Sequence, residues 1–105
     1  KNERGIIMEN IITEVVEVTR ANGLTVQSAT RVSSTYARIV FKNDISSTIT
    51  DYVNVSDAAV LGITISSFSL SVPAKSTKSY DVYVGAYDNV WLLTESHGKF
   101  NIIDL

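Results

Sequence analysis

The sequence contains no cysteine, and this absence removes several kinds of chemistry at once. A chain without thiols has no disulfide framework, no thiolate nucleophile, no zinc ribbon and no cysteine-ligated iron–sulfur cluster. Histidine is nearly as scarce, because His97 is the only one in 105 residues. It lies in Glu95-Ser96-His97-Gly98, which has the composition of a turn, and we expect it to be a solvated turn residue rather than a catalytic base.

Positive charge is also in short supply. Nine Lys and Arg face eleven Asp and Glu, which gives a formal net charge of -2 and an isoelectric point near 5.2. No cationic surplus is available to neutralise a phosphate backbone, so we expect no nucleic-acid partner. Hydrophobic residues make up 45% of the chain, yet no run approaches the roughly 20 apolar residues of a membrane-spanning helix. We therefore expect no membrane span.

Motifs that would indicate catalysis or cofactor binding are missing as well. The five glycines form no phosphate-binding loop, and no calcium-loop spacing occurs among the carboxylates. We interpret Asp44, Asp51 and Asp57 as turn-capping residues. The sequence therefore predicts a protein that is not an enzyme and that has no cofactor, no catalytic residue and no metal site.

What the chain has in abundance is β-branched residues. Val, Ile and Thr number 13, 11 and 10, against 6 Leu and 7 Ala, and this composition favours strands over helices. Apolar and polar residues alternate over 36–42 and 80–84, which predicts two strands with Ile39, Phe41, Val82 and Val84 in the core. Further strands are predicted around 53–55, 63–72, 90–94 and 100–105. The alternation changes phase at Ser66-Ser67, which indicates a bulge or a break.

The segment from Ile6 to Arg20 fits two patterns. Ile7, Ile11 and Val15 form a helical stripe, whereas β-branching favours a strand. With either structure the segment is apolar on two faces, and we expect Ile7, Ile11 and Val15 to make assembly contacts.

Together these patterns predict an all-β protein. Seven or eight short antiparallel strands separated by turns indicate a β-sandwich, either immunoglobulin-like or jelly-roll, with a barrel as the second choice. We expect residues 1–20 to form an N-terminal arm or first strand, and residues 21–105 to form the sandwich domain.

Aromatic side chains are the candidate contact residues. Tyr36 and Tyr83 fall on the outward phase of the two best strands, and Tyr52, Tyr87 and Trp91 fall near strand ends or loops. Exposed Tyr and Trp anchor protein partners or stack on sugar rings, although they also occur as plain structural residues. These five are therefore the expected partner or sugar contacts.

Two stretches carry a resemblance to known proteins. Phe41-Lys42-Asn43-Asp44, followed by a Val-alternating strand and then by Val72-Pro73-Ala74-Lys75-Ser76, resembles Ig-like accessory modules of bacteriophage and bacterial surface proteins. The ending, from Asp88-Asn89-Val90-Trp91 to Gly98-Lys99-Phe100-Asn101-Ile102, resembles terminal hairpins of phage tail, baseplate and head-fibre proteins. Such modules mostly bind or build and do not catalyse.

The resemblance implies a non-catalytic structural or assembly module of a phage virion or another multi-subunit surface structure. Its partners would be protein subunits of the same or a larger assembly, with a homo-oligomer expected, and its location would be the virion or the extracellular surface of a cell. The alternative is an adhesion module that binds a carbohydrate or a receptor, with a surface glycan as its ligand.

Overall fold

The computed structural model describes residues 13–14, 22–60 and 63–105. All regular secondary structure in these parts is β-strand, which follows from the β-branched composition. The strands are β1 (Thr13–Glu14), β2 (Leu24–Arg31), β3 (Tyr36–Asn43), β4 (Ile49–Asp57), β5 (Thr64–Val72), β6 (Thr77–Tyr83), β7 (Val90–Thr94) and β8 (Lys99–Ile102). No helix in the described residues has the length and apolar character needed to cross a bilayer.

The strands form two antiparallel sheets that pack face to face. One sheet has the order β1-β8-β7-β4-β5 and the other the order β2-β3-β6. We compared β2 to β8, in chain order, with the seven strands of an immunoglobulin constant domain. Only the fourth strand, β5, lies in the opposite sheet from its counterpart there. The predicted all-β sandwich is confirmed.

The N-terminal segment joins the larger sheet at the two residues described there. Thr13 pairs with Ile102 and Glu14 with Asn101, so β1 is a strand at the outer edge of this sheet. Of the two structures that the pattern allowed, the strand is therefore found at these positions. The expected assembly contacts Ile7, Ile11 and Val15 lie outside the described residues.

The core lies between the sheets and contains the four residues predicted for it. Phe41 and Ile39 of β3 are fully buried, as is Val84, and Val82 of β6 is 4% exposed. Burial alternates along β3 because successive side chains point to opposite faces of a strand. From the opposite sheet Val53, Val55, Leu70, Val72, Leu92, Phe100 and Ile102 complete the packing.

The predicted irregularity near Ser66-Ser67 occurs as a bulge. Val55 pairs with Ser66 and Ser56 pairs with Thr64, so Ile65 is the extra residue on β5, one position before the predicted slip. β5 continues through the bulge as a single strand. A single extra residue resets the inward phase, and Leu70 and Val72 consequently face the core.

Candidate functional site

One end of the sandwich collects most of the exposed apolar side chains. Of the eight large hydrophobic residues that the described part of the chain leaves exposed, only Ile45 and Tyr52 lie elsewhere. We call this region the aromatic end; it comprises the loops 32–35, 58–63 and 84–89 as far as they are described, the adjoining strand ends, and residues 103–105. Its exposed apolar residues are Val32, Tyr36, Val60, Ile63, Tyr83 and Tyr87.

Three tyrosines dominate the aromatic end. Tyr36 and Tyr83 are directly paired across β3 and β6, and their rings meet edge to face with centroids 5.5 Å apart at 78°. A Cβ atom added to Gly85 would lie 3.4 Å from the Tyr87 ring and 3.8 Å from the Tyr83 ring, which places these two side chains close beside the glycine, and Tyr83 in turn contacts Tyr36. Gly85 has φ of 62°, a backbone conformation that side-chain-bearing residues rarely adopt. The turn at Gly85 thus brings Tyr87 beside the strand pair.

Arg31 holds the backbone of the aromatic end together. It ends β2 on the inward phase, where a charged side chain must find partners. Its guanidinium donates hydrogen bonds to backbone oxygens from three separate segments, and the fork of N–H groups suits such multiple acceptors. The acceptors are Leu105 O at 3.0 Å, Gly85 O at 3.1 Å, Ser34 O at 3.0 Å, Ser33 O at 3.4 Å and Tyr87 O.

Backbone hydrogen bonds add to this order. Val84 N and Gly85 N both donate to Thr35 O, at 2.8 and 3.1 Å, and so tie the loop after β6 to the loop before β3. In that second loop Ser33 Oγ accepts from Tyr36 N at 3.0 Å, which is a local side-chain turn. The three tyrosines therefore project from loops and strand ends whose backbone is fixed by several independent contacts.

Charges around the tyrosines are unevenly distributed. Arg38, two residues along β3 from Tyr36, forms a two-pronged ion pair with Asp81 at 2.8 and 3.2 Å. The hydrogen bonds from Arg38 lower the pKa of Asp81 below its ordinary value, and burial opposes them. Asp88 and Asp104 are exposed, and no cation in the described part of the chain pairs with either.

The other two aromatics predicted as contacts lie on the outer face of the larger sheet. Tyr52 is exposed on β4, and its hydroxyl lies 2.7 Å from Ser67 Oγ on β5. Trp91 is half-buried on β7, and Lys99 Nζ lies 5.5 Å from the centroid of its ring. The five predicted residues therefore separate into a cluster of three and a second group on another surface.

The structure corrects the interpretation of His97 as a solvated residue. His97 is 8% exposed, and its Nδ1 lies 2.5 Å from Asp51 Oδ2. The Asp51 carboxylate also accepts hydrogen bonds from the backbone N–H groups of Tyr52, Glu95 and Ser96. We expected Asp51 to cap its own turn, and this was wrong. Its carboxylate instead anchors the turn between β7 and β8 to β4.

The hydrogen bonds to Asp51 set its ionisation. Burial acts to raise the pKa of this carboxyl, but the hydrogen bonds from His97 and from three backbone N–H groups together outweigh it and lower the pKa below the ordinary value. Asp57 does behave as expected, because its Oδ1 caps Ala59 N at 2.9 Å. In the parts of the chain that are described, no three His, Asp or Glu side chains are grouped closely enough to hold a metal ion.

Sequence reasoning missed Arg31, although a signal for it exists. Arg31 and Ala29 share the inward phase of β2 once the bulge at Gln27 is taken into account. A single basic residue among the inward-facing positions of a strand indicates that buried hydrogen-bond acceptors surround it. The bulge interrupts the alternation of β2, however, so the sequence alone does not show that Arg31 faces inward.

Comparison of the chain with models of protein families, with curated proteins and with solved structures found no match.

Proposed function

We propose that this chain is a non-catalytic module of a multi-subunit assembly and that it contacts a protein partner through the aromatic end. The single observation that carries the proposal is the clustering of three exposed tyrosines there, at 44%, 42% and 41% exposure for Tyr36, Tyr83 and Tyr87. Tyrosine is enriched at the energetic centres of protein interfaces, and contiguous exposed apolar surface is characteristic of interaction sites.

The rigidity of the aromatic end supports this role. Binding costs conformational entropy when loops must be ordered, and loops that are already fixed avoid that cost. The five backbone acceptors of Arg31 and the two amides bound to Thr35 O fix the tyrosine-bearing loops in the unbound molecule. The resemblance to phage and bacterial surface modules suggests the kind of assembly, a virion or another extracellular surface structure.

The geometry favours a protein partner over a sugar. A sugar ring stacks on an open aromatic face, whereas the edge of one ring in the Tyr36–Tyr83 pair points at the face of the other. The remaining apolar residues of the aromatic end, among them Val32 and Ile63, are aliphatic and suit protein contacts. A surface glycan is therefore the second choice of ligand.

Site-specific photo-cross-linking tests the proposal. A photoreactive phenylalanine analogue replaces Tyr87 in the cells that naturally make this protein, and the cross-linked product is identified by mass spectrometry. We expect a protein subunit attached at position 87, and no such product when the analogue replaces Tyr52 on the other surface. Equal products from both positions, or none from position 87, would contradict the proposal. Glycan binding that Tyr83→Ser abolishes would favour the adhesion module.

A further inference from the structure

We infer that the aromatic end recognises a protein segment that presents a basic side chain among apolar ones. This inference rests on the proposed function and adds to it the chemistry of the partner. It follows from the distribution of charge around Tyr36, Tyr83 and Tyr87.

Arg31 of the aromatic end and Arg38, two residues along β3 from Tyr36, are both already engaged. Arg31 donates to five backbone oxygens, and Arg38 is bound at two points by Asp81. Neither guanidinium is therefore positioned to receive an acidic partner. An acidic segment docking here would lose water from its carboxylates without gaining a cation in return.

Asp88 and Asp104 lie on two chain segments that meet beside the backbone of Tyr87. Asp88 follows Tyr87, whose backbone oxygen accepts from Arg31, and Asp104 precedes Leu105, whose oxygen accepts from the same guanidinium. Leu105 N donates to Asp88 O at 3.1 Å, so the two acidic residues lie on adjoining stretches of chain. Both side chains are exposed, and they form no ion pair in the described residues.

Exposed carboxylates and exposed tyrosine rings at the same end of the sandwich can attract a cation in two ways. A Lys or Arg of the partner can pair with Asp88 or Asp104, and it can also lie over a tyrosine face. The aromatic end also exposes Val32, Val60 and Ile63, which suit aliphatic side chains of the same partner segment. The same charge disfavours a symmetric contact between the aromatic ends of two copies, because their carboxylates would repel each other.

Selection from a random peptide library on the intact protein tests this inference. One selection uses the wild-type chain, and a parallel one uses the variant Asp88→Lys/Asp104→Asn. Asp104 has φ of 57°, which Asn accepts as readily as Asp, so position 104 receives no lysine. We expect peptides selected on the wild type to be enriched in Arg or Lys beside apolar residues, and we expect this enrichment to be lost or reversed on the variant.

Individual peptides then identify the surface. For a selected peptide, Asp88→Asn/Asp104→Asn should weaken binding about tenfold, which corresponds to roughly 1.4 kcal/mol. Tyr83→Ser should also weaken it, whereas Tyr52→Ser on the other surface should leave it unchanged. All of these substitutions are at exposed positions, and circular dichroism of each variant confirms that the fold is retained.

The outcomes separate this inference from the proposed function. Peptides that lose binding in Tyr83→Ser but show no basic enrichment would overturn the inference and leave the aromatic end as a contact surface. The inference would also be overturned if the peptides bound Tyr83→Ser as well as wild type, or if the selection yielded no binder. In either case the photo-cross-link at position 87 would decide the proposed function independently.

Discussion

Replacing Arg31 by Lys tests whether one guanidinium organises the aromatic end. Lysine keeps the positive charge but offers a single ammonium group, which cannot reach acceptors on three segments at once. If the ammonium keeps two of the five backbone acceptors, three hydrogen bonds are lost. At about 1 kcal/mol net for each hydrogen bond, the free energy of unfolding should fall by about 3 kcal/mol.

Urea denaturation measures this loss. Trp91 is half-buried and is the only tryptophan, so its fluorescence reports unfolding. With a slope of about 1.5 kcal/mol per molar urea, the midpoint should fall by about 2 M. Arg38→Lys is the matched control, because Arg38 and Asp81 are about half exposed, at 52% and 51%, and an exposed pair contributes less than about 1 kcal/mol. If Arg31→Lys cost no more than Arg38→Lys, the organising role of Arg31 would be refuted.

Further predictions concern the core, a buried amide and the anchored turn. Phe41→Ala should lower the free energy of unfolding by about 3 to 5 kcal/mol, because Phe41 is fully buried, and a near-neutral result in the same urea assay would disprove the core assignment. Asn43 is also fully buried, and its side-chain amide donates to three backbone oxygens. Asn43→Asp would place a carboxylate against these oxygens and should lower the free energy of unfolding by about 3 kcal/mol or more. Asn54→Asp on the outer face should lower it little. Because the folded-state pKa of Asp51 is lowered, its stabilising contribution is complete above the ordinary value of about 4 and disappears as pH falls through the lowered pKa. Urea midpoints recorded from pH 6 down to about pH 2 should therefore decline less steeply for Asp51→Asn than for wild type, and identical slopes would show that Asp51 is not the anchor.

The fold was predictable because strand periodicity is local. Each residue of β3 alternates between core and solvent, so Ile39 and Phe41 could be assigned from their immediate neighbours. The inward side chains of β6 were assigned in the same way. The bulge was located only to within one residue, since Ile65 and Ser66 are equally compatible with the change of phase.

The site was only partly predictable because its contacts are remote in sequence. Asp51 and His97 are separated by 46 residues, and Arg31 reaches Leu105 across 74. No pattern in the sequence around His97 indicates that its ring contacts the Asp51 carboxylate. The outward phase of Tyr36 and Tyr83 was visible in the sequence, but their clustering with Tyr87 depends on how β3 and β6 pair and on the turn at Gly85.

Amide hydrogen exchange of the unbound protein shows whether the aromatic end is a preformed surface. Val84 N, Gly85 N and Leu105 N lie outside the strands but donate to backbone oxygens, and two of them share Thr35 O. We expect these three amides to be protected nearly as well as the amides of β3, and we expect Arg31→Lys to remove that protection before the strands unfold. Exchange as fast as in unstructured peptides at all three positions in the wild-type protein would contradict this expectation.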